Sequence, residues 1–385
     1  MNILKRRLIT CANDSEEKLA TKSQRDAILQ TIEQKPHLND RFERMLRIDA
    51  EGGGGCFSLV LKAWDRHTNR EVALKFYDPA KRSETYRWES FKREVLLLPT
   101  FDGKPDILQC VCPLTEFKEP FAHATGIVLD VDFAYYAVEL ATYDVKAAII
   151  NKLWNVEQKL MFFKAMCRGV QRVHAARIAH RDLKPGNFLV MPDGALRLSD
   201  FGTARLISGA NNSIVPTYGG PPGDIGYASP EMIAALHDVD PHFAFTGDVY
   251  ALGAILFELF TGVRLNLQVF DGSTIAALNT MLTAVPPAQR VSTYDGFVAS
   301  MASARALPSL SLFGGDVPGS ILELLNQLYM GLAALDYHDR LMDFQHIFMQ
   351  INRCVYVHQH EAAYRRWRER KRQWKANRKT SSPSK

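Results

Sequence analysis

The stretch HRDLKPGN, residues 180–187, crowds His180, Arg181, Asp182, Lys184 and Asn187 between two apolar runs, RGVQRVHAARIA before it and FLVM after it. Charges at this density suit neither a helix nor a buried strand, so the stretch reads as a loop. An aspartate with an asparagine five positions on can set a general base beside a metal ligand, and the lysine between them can neutralise charge on a group in transfer. SDFGTAR, residues 199–205, puts Asp200 at the end of the apolar strand ALRLS and before a Phe-Gly turn. A carboxylate at such a strand end suits magnesium. EVALK, residues 71–75, ends a buried strand on Lys75. A lysine there is either an edge residue reaching for water or a phosphate ligand, and as a ligand it needs a carboxylate partner. Glu94, in the apolar helix SFKREVLLL, can supply one, although alone it reads as part of a solvated helix face. GGGGCFSLV, residues 52–60, lies between two expected strands. Its backbone N–H groups can approach a phosphate closely, and the same glycines suit a flexible hairpin equally well.

Such groups need elements to hold them. RFERMLRIDA, GGGGCFSLVLKAWD and REVALKFYD read as three short strands, joined by glycine and by the polar turn RHTN. SETYRWESFKREVLLLP has helical spacing and stops at Pro99, and YYAVELA reads as a further strand. From Asp144 onward helical patterns dominate, in KAAIINKLW and then VEQKLMFFKAMCRGVQRVHAA. The organisation is therefore α+β, a small strand-rich part followed by a large helical one, with no flexible linker between them. Residues 1–40 form a polar extension with weak helical periodicity that Pro36 ends, and residues 205–224, rich in Gly, Pro, Asn and Ser, read as a long loop.

The 385 residues are 46% hydrophobic and 23% charged, the profile of a soluble globular protein. No apolar run reaches the length of a membrane span; the best candidate, VYALGAILFELFTGV, is broken by Glu258 and reads as a core helix. The N-terminus has basic residues without the long apolar stretch of a secretory signal. The six cysteines are scattered, Cys110 and Cys112 being the one close pair, which points to free thiols in a reducing cytoplasm. The net charge of +5 is uneven. Residues 361–385 hold ten Lys/Arg and two Asp/Glu, a local +8, so the rest of the chain carries −3. This basic tail, with Trp367 and Trp374 interleaved, is either a solvated helix or a contact for an acidic partner: nucleic acid, anionic lipid or protein.

Taken in order, the glycine loop, strand lysine, helix glutamate, HRDLKPGN and DFG resemble the protein kinase superfamily of the eukaryotic-like Ser/Thr type, over roughly residues 41–350. The resemblance implies a two-lobed fold. An antiparallel sheet with one key helix forms the N-lobe (41–140), a mostly helical C-lobe follows (141–355), and a tail spans 356–385. It implies ATP and Mg2+, or Mn2+ in its place, and transfer of the γ-phosphate to Ser or Thr of protein substrates. Gly53, Gly55 and Ser58 fill the three glycine positions, Ser58 departing from the pattern, and Val60, Ala73 and Leu189 enclose adenine. Lys75, paired to Glu94, holds phosphates; Val138 is the gatekeeper; Glu139 to Ala141 form the hinge; Asp144 meets the ribose. Asp182 accepts the hydroxyl proton, Lys184 assists, and Asn187 and Asp200 bind the metal. His180, Phe201 and Leu98 pack in the regulatory spine, Glu231 pairs with Arg340, and Asp248 holds the catalytic-loop backbone. Arg181 docks a phosphorylated activation loop, with Ser208, Ser213, Thr217 and Tyr218 as candidate sites. Asp224 stands where the family has threonine and is expected to pair with Lys184, and an added loop is expected near ALPSLSLFGGDVPGS. The alternatives are a nucleotide-binding scaffold that lacks transfer and a small-molecule phosphotransferase of related fold. A missing lysine, base or metal aspartate would signal the first, and none is missing; the second usually lacks the long activation segment and the APE-like YASPEM present here.

Overall fold

The computed structural model describes residues 29–48, 58–78, 84–122, 128–207, 223–236, 240, 242–315 and 317–380. The chain divides into two units, Met1–Thr142 with Asp200–Gly202, and Tyr143–Ser199 with Thr203–Lys385.

In the first unit, two-residue alternation builds an antiparallel sheet. Its strands are β1 (His37–Leu38), β2 (Phe42–Arg47), β3 (Ser58–Asp65), β4 (Arg70–Tyr77), β5 (Cys110–Ala122) and β6 (Val128–Glu139), in the order β1-β2-β3-β4-β6-β5. Leu59, Leu61 and Ala63 of β3, Val72, Leu74 and Phe76 of β4, and Phe133, Tyr135 and Ala137 of β6 share one core with Ile32, Leu38, Phe42 and Met45. Burying side chains of this size stabilises by about 1.5–3 kcal/mol each. The same alternation sends Val60, Ala73, Lys75, Tyr136 and Val138 to the opposite face, where the ladders set Val60 against Lys75, Ala73 against Val138 and Lys75 against Tyr136. Helix α1 (Thr85–Leu97) covers that face, with the Phe91 ring centroid 5.4 Å from Tyr77 and 5.1 Å from Tyr136. A short 3-10 turn, Leu98–Phe101, carries the chain through Pro99.

Two expectations change here, and a strand is added that the sequence reading did not assign. Residues 110–122, with Pro113 and Pro120 among them, form β5 at the edge of the sheet. A proline's missing N–H does least harm at an edge, and the ladder is irregular around Pro113. The N-terminal extension does not stay apart up to residue 40, since Ile32 and Leu38 lie in the core and β1 pairs with β2. The boundary expected after residue 140 falls after Thr142, and Asp200–Gly202 cluster with the first unit.

The second unit is mainly helical. Its first helices are α2 (Val145–Ile150), α3 (Val156–Ala175), α4 (Pro230–Ile233), α5 (His242–Thr261) and α6 (Asn266–Val269). α7 (Gly272–Thr283), α8 (Pro287–Ala304), α9 (Leu322–Leu332), α10 (Phe344–Gln359) and α11 (Glu361–Thr380) follow. Between them β7 (Tyr143–Asp144), β9 (Phe188–Val190) and β10 (Leu196–Leu198) pair in the order β10-β9-β7, and β8 (Ile178–Ala179) pairs with β11 (Arg205–Leu206). α3 opens on a capping box in which Asn155 accepts from the Gln158 N–H and the Gln158 side chain from the Asn155 N–H. α5 is long and apolar enough to cross a membrane, and 94% of its most apolar window is buried inside the protein, as befits a core helix. In the long stretch from residue 262 to 336, α6, α7 and α8 come first; around ALPSLSLFGGDVPGS, where the added loop is expected, the described residues of 305–321 have no regular structure apart from a 3-10 turn at Leu310–Phe313. The tail starts later than residue 356, because α10 runs on to Gln359 and buries Val357.

Candidate active site

Each unit supplies one group of the expected residues. In the first, β4 ends its buried run on Lys75, and α1 brings Glu94 to it, Nζ to Oε2 2.6 Å. Asp200 Oδ1 lies 3.9 Å from the same nitrogen. Burial works against the Lys75 charge, but Glu94 and Asp200 outweigh it and hold the pKa above the ordinary lysine value. Glu94 is 3% exposed, so it is not the solvated helix residue its sequence context alone suggests. Asp200 sits at φ +64°, a left-handed conformation that aspartate tolerates better than most non-glycine residues do.

The residues after Asp200 are tied to α1. Ser90 Oγ donates to the Gly202 carbonyl at 2.7 Å, and Arg93 NH1 donates to the same oxygen. A Cβ on Gly202 would lie 2.6 Å from Ser90 Oγ, so the approach requires glycine. Phe201 stacks on Phe101, centroids 5.3 Å apart, and Leu98 is buried. Val60, Ala73 and Val138 line the same sheet face as Lys75. Glu139 closes β6, accepting from the Gln109 N–H at 3.0 Å through its side chain. Ala141 lies beyond the strand, where ladder pairing has stopped. Tyr136 is fully buried, and its hydroxyl makes no hydrogen bond of ordinary geometry among the described residues. Ser58 opens β3; Gly53 and Gly55 lie outside the described residues.

In the second unit, β8 delivers the chain to the catalytic loop and the buried carboxylate of Asp248 fixes its shape. Asp248 accepts from the His180 N–H (2.7 Å), the Arg181 N–H (2.8 Å) and His174 Nε2 (2.9 Å). These bonds hold Arg181 at φ +67°, while Arg181 Nε donates to the Thr203 carbonyl. The His180 ring accepts at Nδ1 from the Asp182 N–H and donates at Nε2 to the Ser199 carbonyl, 2.9 Å away. Asp182, its side chain 9% exposed, takes Lys184 Nζ on Oδ2 at 2.7 Å and the Asp224 N–H on Oδ1 at 2.8 Å. Asn187 Nδ2 donates to the Asp182 carbonyl at 2.7 Å. The side-chain nitrogen thus faces the loop, which leaves the amide oxygen as the group suited to a hard cation. Asn187 thus offers an amide oxygen, and Asp200 of the first unit a carboxylate 40% exposed; each by itself is a hard oxygen donor of the kind magnesium takes.

One expected pairing is altered. Asp224 does not pair with Lys184: its Oδ1 accepts from the Gly226 N–H at 2.8 Å, and Lys184 goes to Asp182. The short aspartate side chain closes a turn with an N–H two residues on, ahead of a lysine 40 residues away in the chain. Asp144 caps α2, Oδ1 accepting from the Ala147 N–H at 2.7 Å, and pairs across the strand with Leu189. The ion pair of Glu231 with Arg340 forms and is fully buried. Ser208, Ser213, Thr217 and Tyr218 lie outside the described residues.

Sequence inspection missed several contributors. Gly223, at φ +85°, lets the Asp224 N–H reach Asp182; a Cβ there would meet the Arg181 carbonyl oxygen at 2.5 Å. Asn266 donates to the carbonyls of Ile225 and Ala228, 2.8 Å each, and Tyr227 donates to the buried Glu258 at 2.6 Å. Ser90, Arg93 and Tyr136 carry no motif; only the pairing of helix with sheet reveals them.

A buried lysine–glutamate pair beside an aspartate, and a loop-held aspartate–lysine–asparagine set, define a protein of the phosphate-handling class. Residues 47–294, well over half of the chain, match the protein kinase domain, and the chain belongs to that family. It is 30% identical over 223 residues to serine/threonine-protein kinase ppk24, mitochondrial, of Schizosaccharomyces pombe, covering 56% of this chain and 46% of that one. It is 27% identical over 307 residues to mitogen-activated protein kinase 15 of Rattus norvegicus, covering 76% and 51%. To serine/threonine-protein kinase PknA of Mycobacterium tuberculosis it is 28% identical over 246 residues, covering 63% and 52%. The chain spans about half the length of the curated relatives it matches.

Proposed function

We propose that the protein is an ATP-dependent protein kinase that phosphorylates Ser or Thr hydroxyls of protein substrates. The observation that carries this reading is Asp182, a largely buried carboxylate with a donor on each oxygen, Lys184 on one and the Asp224 N–H on the other. Donors on both oxygens fix the carboxylate's orientation before a hydroxyl arrives, which is what a general base needs. Asp182 takes the hydroxyl proton, and Lys184 offsets charge on the phosphoryl group in transfer. Lys75, held by Glu94, is the phosphate ligand, and Asn187 and Asp200 are the metal ligands. Bound ATP–Mg2+, or its Mn2+ counterpart, supplies the phosphoryl group and neutralises its charge. Val60, Ala73 and Leu189 enclose the adenine, Glu139 and Ala141 offer backbone groups to it, and Asp144 keeps Oδ2 for the ribose. The printed names of the relatives, serine/threonine kinases among them, support the choice of hydroxyl.

The test is incubation of the purified chain with labelled ATP, Mg2+ and a peptide mixture, followed by phosphoamino-acid analysis. Label on Ser or Thr is expected. Nucleotide binding without transfer would make the protein a scaffold, and label confined to small molecules would make it a small-molecule phosphotransferase.

The tail belongs to the same proposal as a contact for an acidic partner: nucleic acid, anionic lipid or an acidic protein face. α11 is anchored by Arg368 to Glu323 at 2.9 Å, Trp367 is 45% exposed, and Lys371 lies 4.7 Å from the Trp367 ring centroid. A half-exposed tryptophan among cations suits a polyanion better than bare solvation does. We place the protein in the reducing cytoplasm, which the free thiols of Cys110, Cys112, Cys167 and Cys354 support; imaging of the tagged chain checks it.

A further inference from the structure

α1 directs two donors at one carbonyl oxygen. Ser90 Oγ reaches the Gly202 oxygen at 2.7 Å, and the Arg93 guanidinium donates to it as well. The oxygen has two lone pairs, but one bond from Ser90 would already satisfy it, so the second donor calls for a reason. Burial works against the Arg93 charge and lowers its pKa. Glu89, one turn earlier, is the usual helix-surface partner for an arginine at this position. It pairs instead with Lys92 at 2.7 Å, and Arg93 turns to Gly202. Ser90 and Glu94, both buried, stand one turn apart on the same face of α1. That turn therefore holds the Gly202 carbonyl through Ser90 and Lys75 through Glu94. Asp200 lies between these anchors, Oδ1 3.9 Å from Lys75 Nζ, and Phe201 beside it stacks on Phe101.

We propose that Ser90 and Arg93 are positioning residues for the Asp200 carboxylate, and that through them α1 places the metal ligand and the Lys75–Glu94 pair as one unit. The inference rests on the kinase reading above, in which Asp200 is a metal ligand. Both side chains act through the Gly202 carbonyl rather than on the reacting atoms. A carboxylate on a loose segment is competent only for the fraction of time it faces the metal, and apparent affinity falls by that fraction. Two donors on the Gly202 oxygen keep the fraction high. The charge on Arg93 makes its bond the stronger of the two.

The test uses the full chain, Arg93→Ala and Ser90→Ala. Mn2+ affinity is read from the paramagnetic resonance signal of free Mn2+ with a non-hydrolysable ATP analogue present, and metal-free nucleotide affinity by calorimetry in EDTA. Arg93→Ala should weaken Mn2+ binding about tenfold, the scale of a hydrogen bond from a charged group, and Ser90→Ala about threefold, that of a neutral one. Metal-free nucleotide affinity should stay within about twofold, since the Lys75–Glu94 contact is untouched. In an Asp200→Ala background Arg93→Ala should change Mn2+ affinity by no more than about twofold, because the carboxylate it places is gone. Without metal, the amides of residues 200–202 should exchange hydrogen faster in Arg93→Ala than in the parent, while those of β3 and β4 keep their rates. A parent-like Mn2+ affinity in Arg93→Ala or in Ser90→Ala overturns the inference. So does an undiminished loss in the Asp200→Ala background, or an equal fall in metal-free nucleotide affinity, which would mean that α1 has loosened as a whole. A parent that binds no Mn2+ with the nucleotide overturns the kinase reading, and this inference falls with it.

Discussion

Asp182 and Asp200 are both carboxylates, but their surroundings give them different work. Asp182 meets a cation and an N–H; an amide in its place would turn a donor toward one of these donors. Asp182→Asn should therefore lower kcat by about 100- to 10,000-fold, the usual contribution of a general base. Asp200→Ala should do likewise through loss of a metal ligand. Both variants should melt near the parent's temperature, and undiminished single-turnover phosphorylation in either would remove that residue from the chemistry. Lys75→Met should abolish most activity and Glu94→Gln a large part of it, since 2.6 Å contact makes them one unit. Steady-state kinetics of Glu94→Gln that match the parent would assign Lys75 another partner. Gly223→Ala tests placement alone. Its Cβ would press on the Arg181 carbonyl, displace the Asp224 N–H from Asp182 and lower kcat, while nucleotide affinity holds. A parent-like kcat would show that Asp182 needs no second donor.

At the scale of elements, β8, the catalytic loop and α5 are joined by Asp248. Asp248→Ala strands the buried N–H groups of His180 and Arg181, at about 1–3 kcal/mol each. The denaturation midpoint and the activity should fall together; loss of activity alone would make Asp248 part of the chemistry. The turn between β3 and β4 is held by Asp65, which accepts from Arg41, Thr68 and His67. The Arg41 hydrogen bond, foremost, holds the Asp65 carboxyl well below the usual carboxylate range. A depressed folded-state pKa gives stability that is complete above the unfolded value near pH ~4 and is lost as pH falls through the folded value. The parent's advantage over Asp65→Asn in chemical denaturation should be constant above about pH 5 and shrink below about pH 4. An advantage constant down to about pH 3 would mean that Asp65 titrates alike in both states.

For the molecule as a whole, the charge imbalance between body and tail is the largest feature outside the phosphate-handling residues. The Arg368–Glu323 pair is exposed and contributes at most about 1 kcal/mol, so removing residues 361–385 should leave stability and peptide phosphorylation nearly intact. Binding to polyanions or anionic vesicles should vanish with the tail. In the full chain it should weaken steeply with salt, because released counterions drive it. A full chain that binds neither even at low salt would make α11 a solvated extension. Comparing DNA, vesicles and acidic peptides sorts the partners.

Motifs whose chemistry is carried by consecutive residues were legible from the sequence. HRDLKPGN, DFG and EVALK each hold their atoms within a few peptide bonds, so side-chain type and spacing nearly determine what they present. The alternating runs of β3, β4 and β6 and the long apolar period of α5 declared themselves for the same local reason. Tertiary structure decided whatever depends on partners distant in the chain. β5 could be a strand because its prolines fall at an edge, a property of sheet order rather than of residues 110–122. Glu94 became a buried partner of Lys75 because α1 packs on the face of β4 that carries it. Asp224 closed its own turn instead of reaching Lys184, since a short side chain meets the N–H two residues on before any distant cation. Ser90, Arg93 and Tyr136 matter only because α1, β6 and the segment at Asp200–Gly202 are brought together, and that juxtaposition is set by the packing of non-local surfaces.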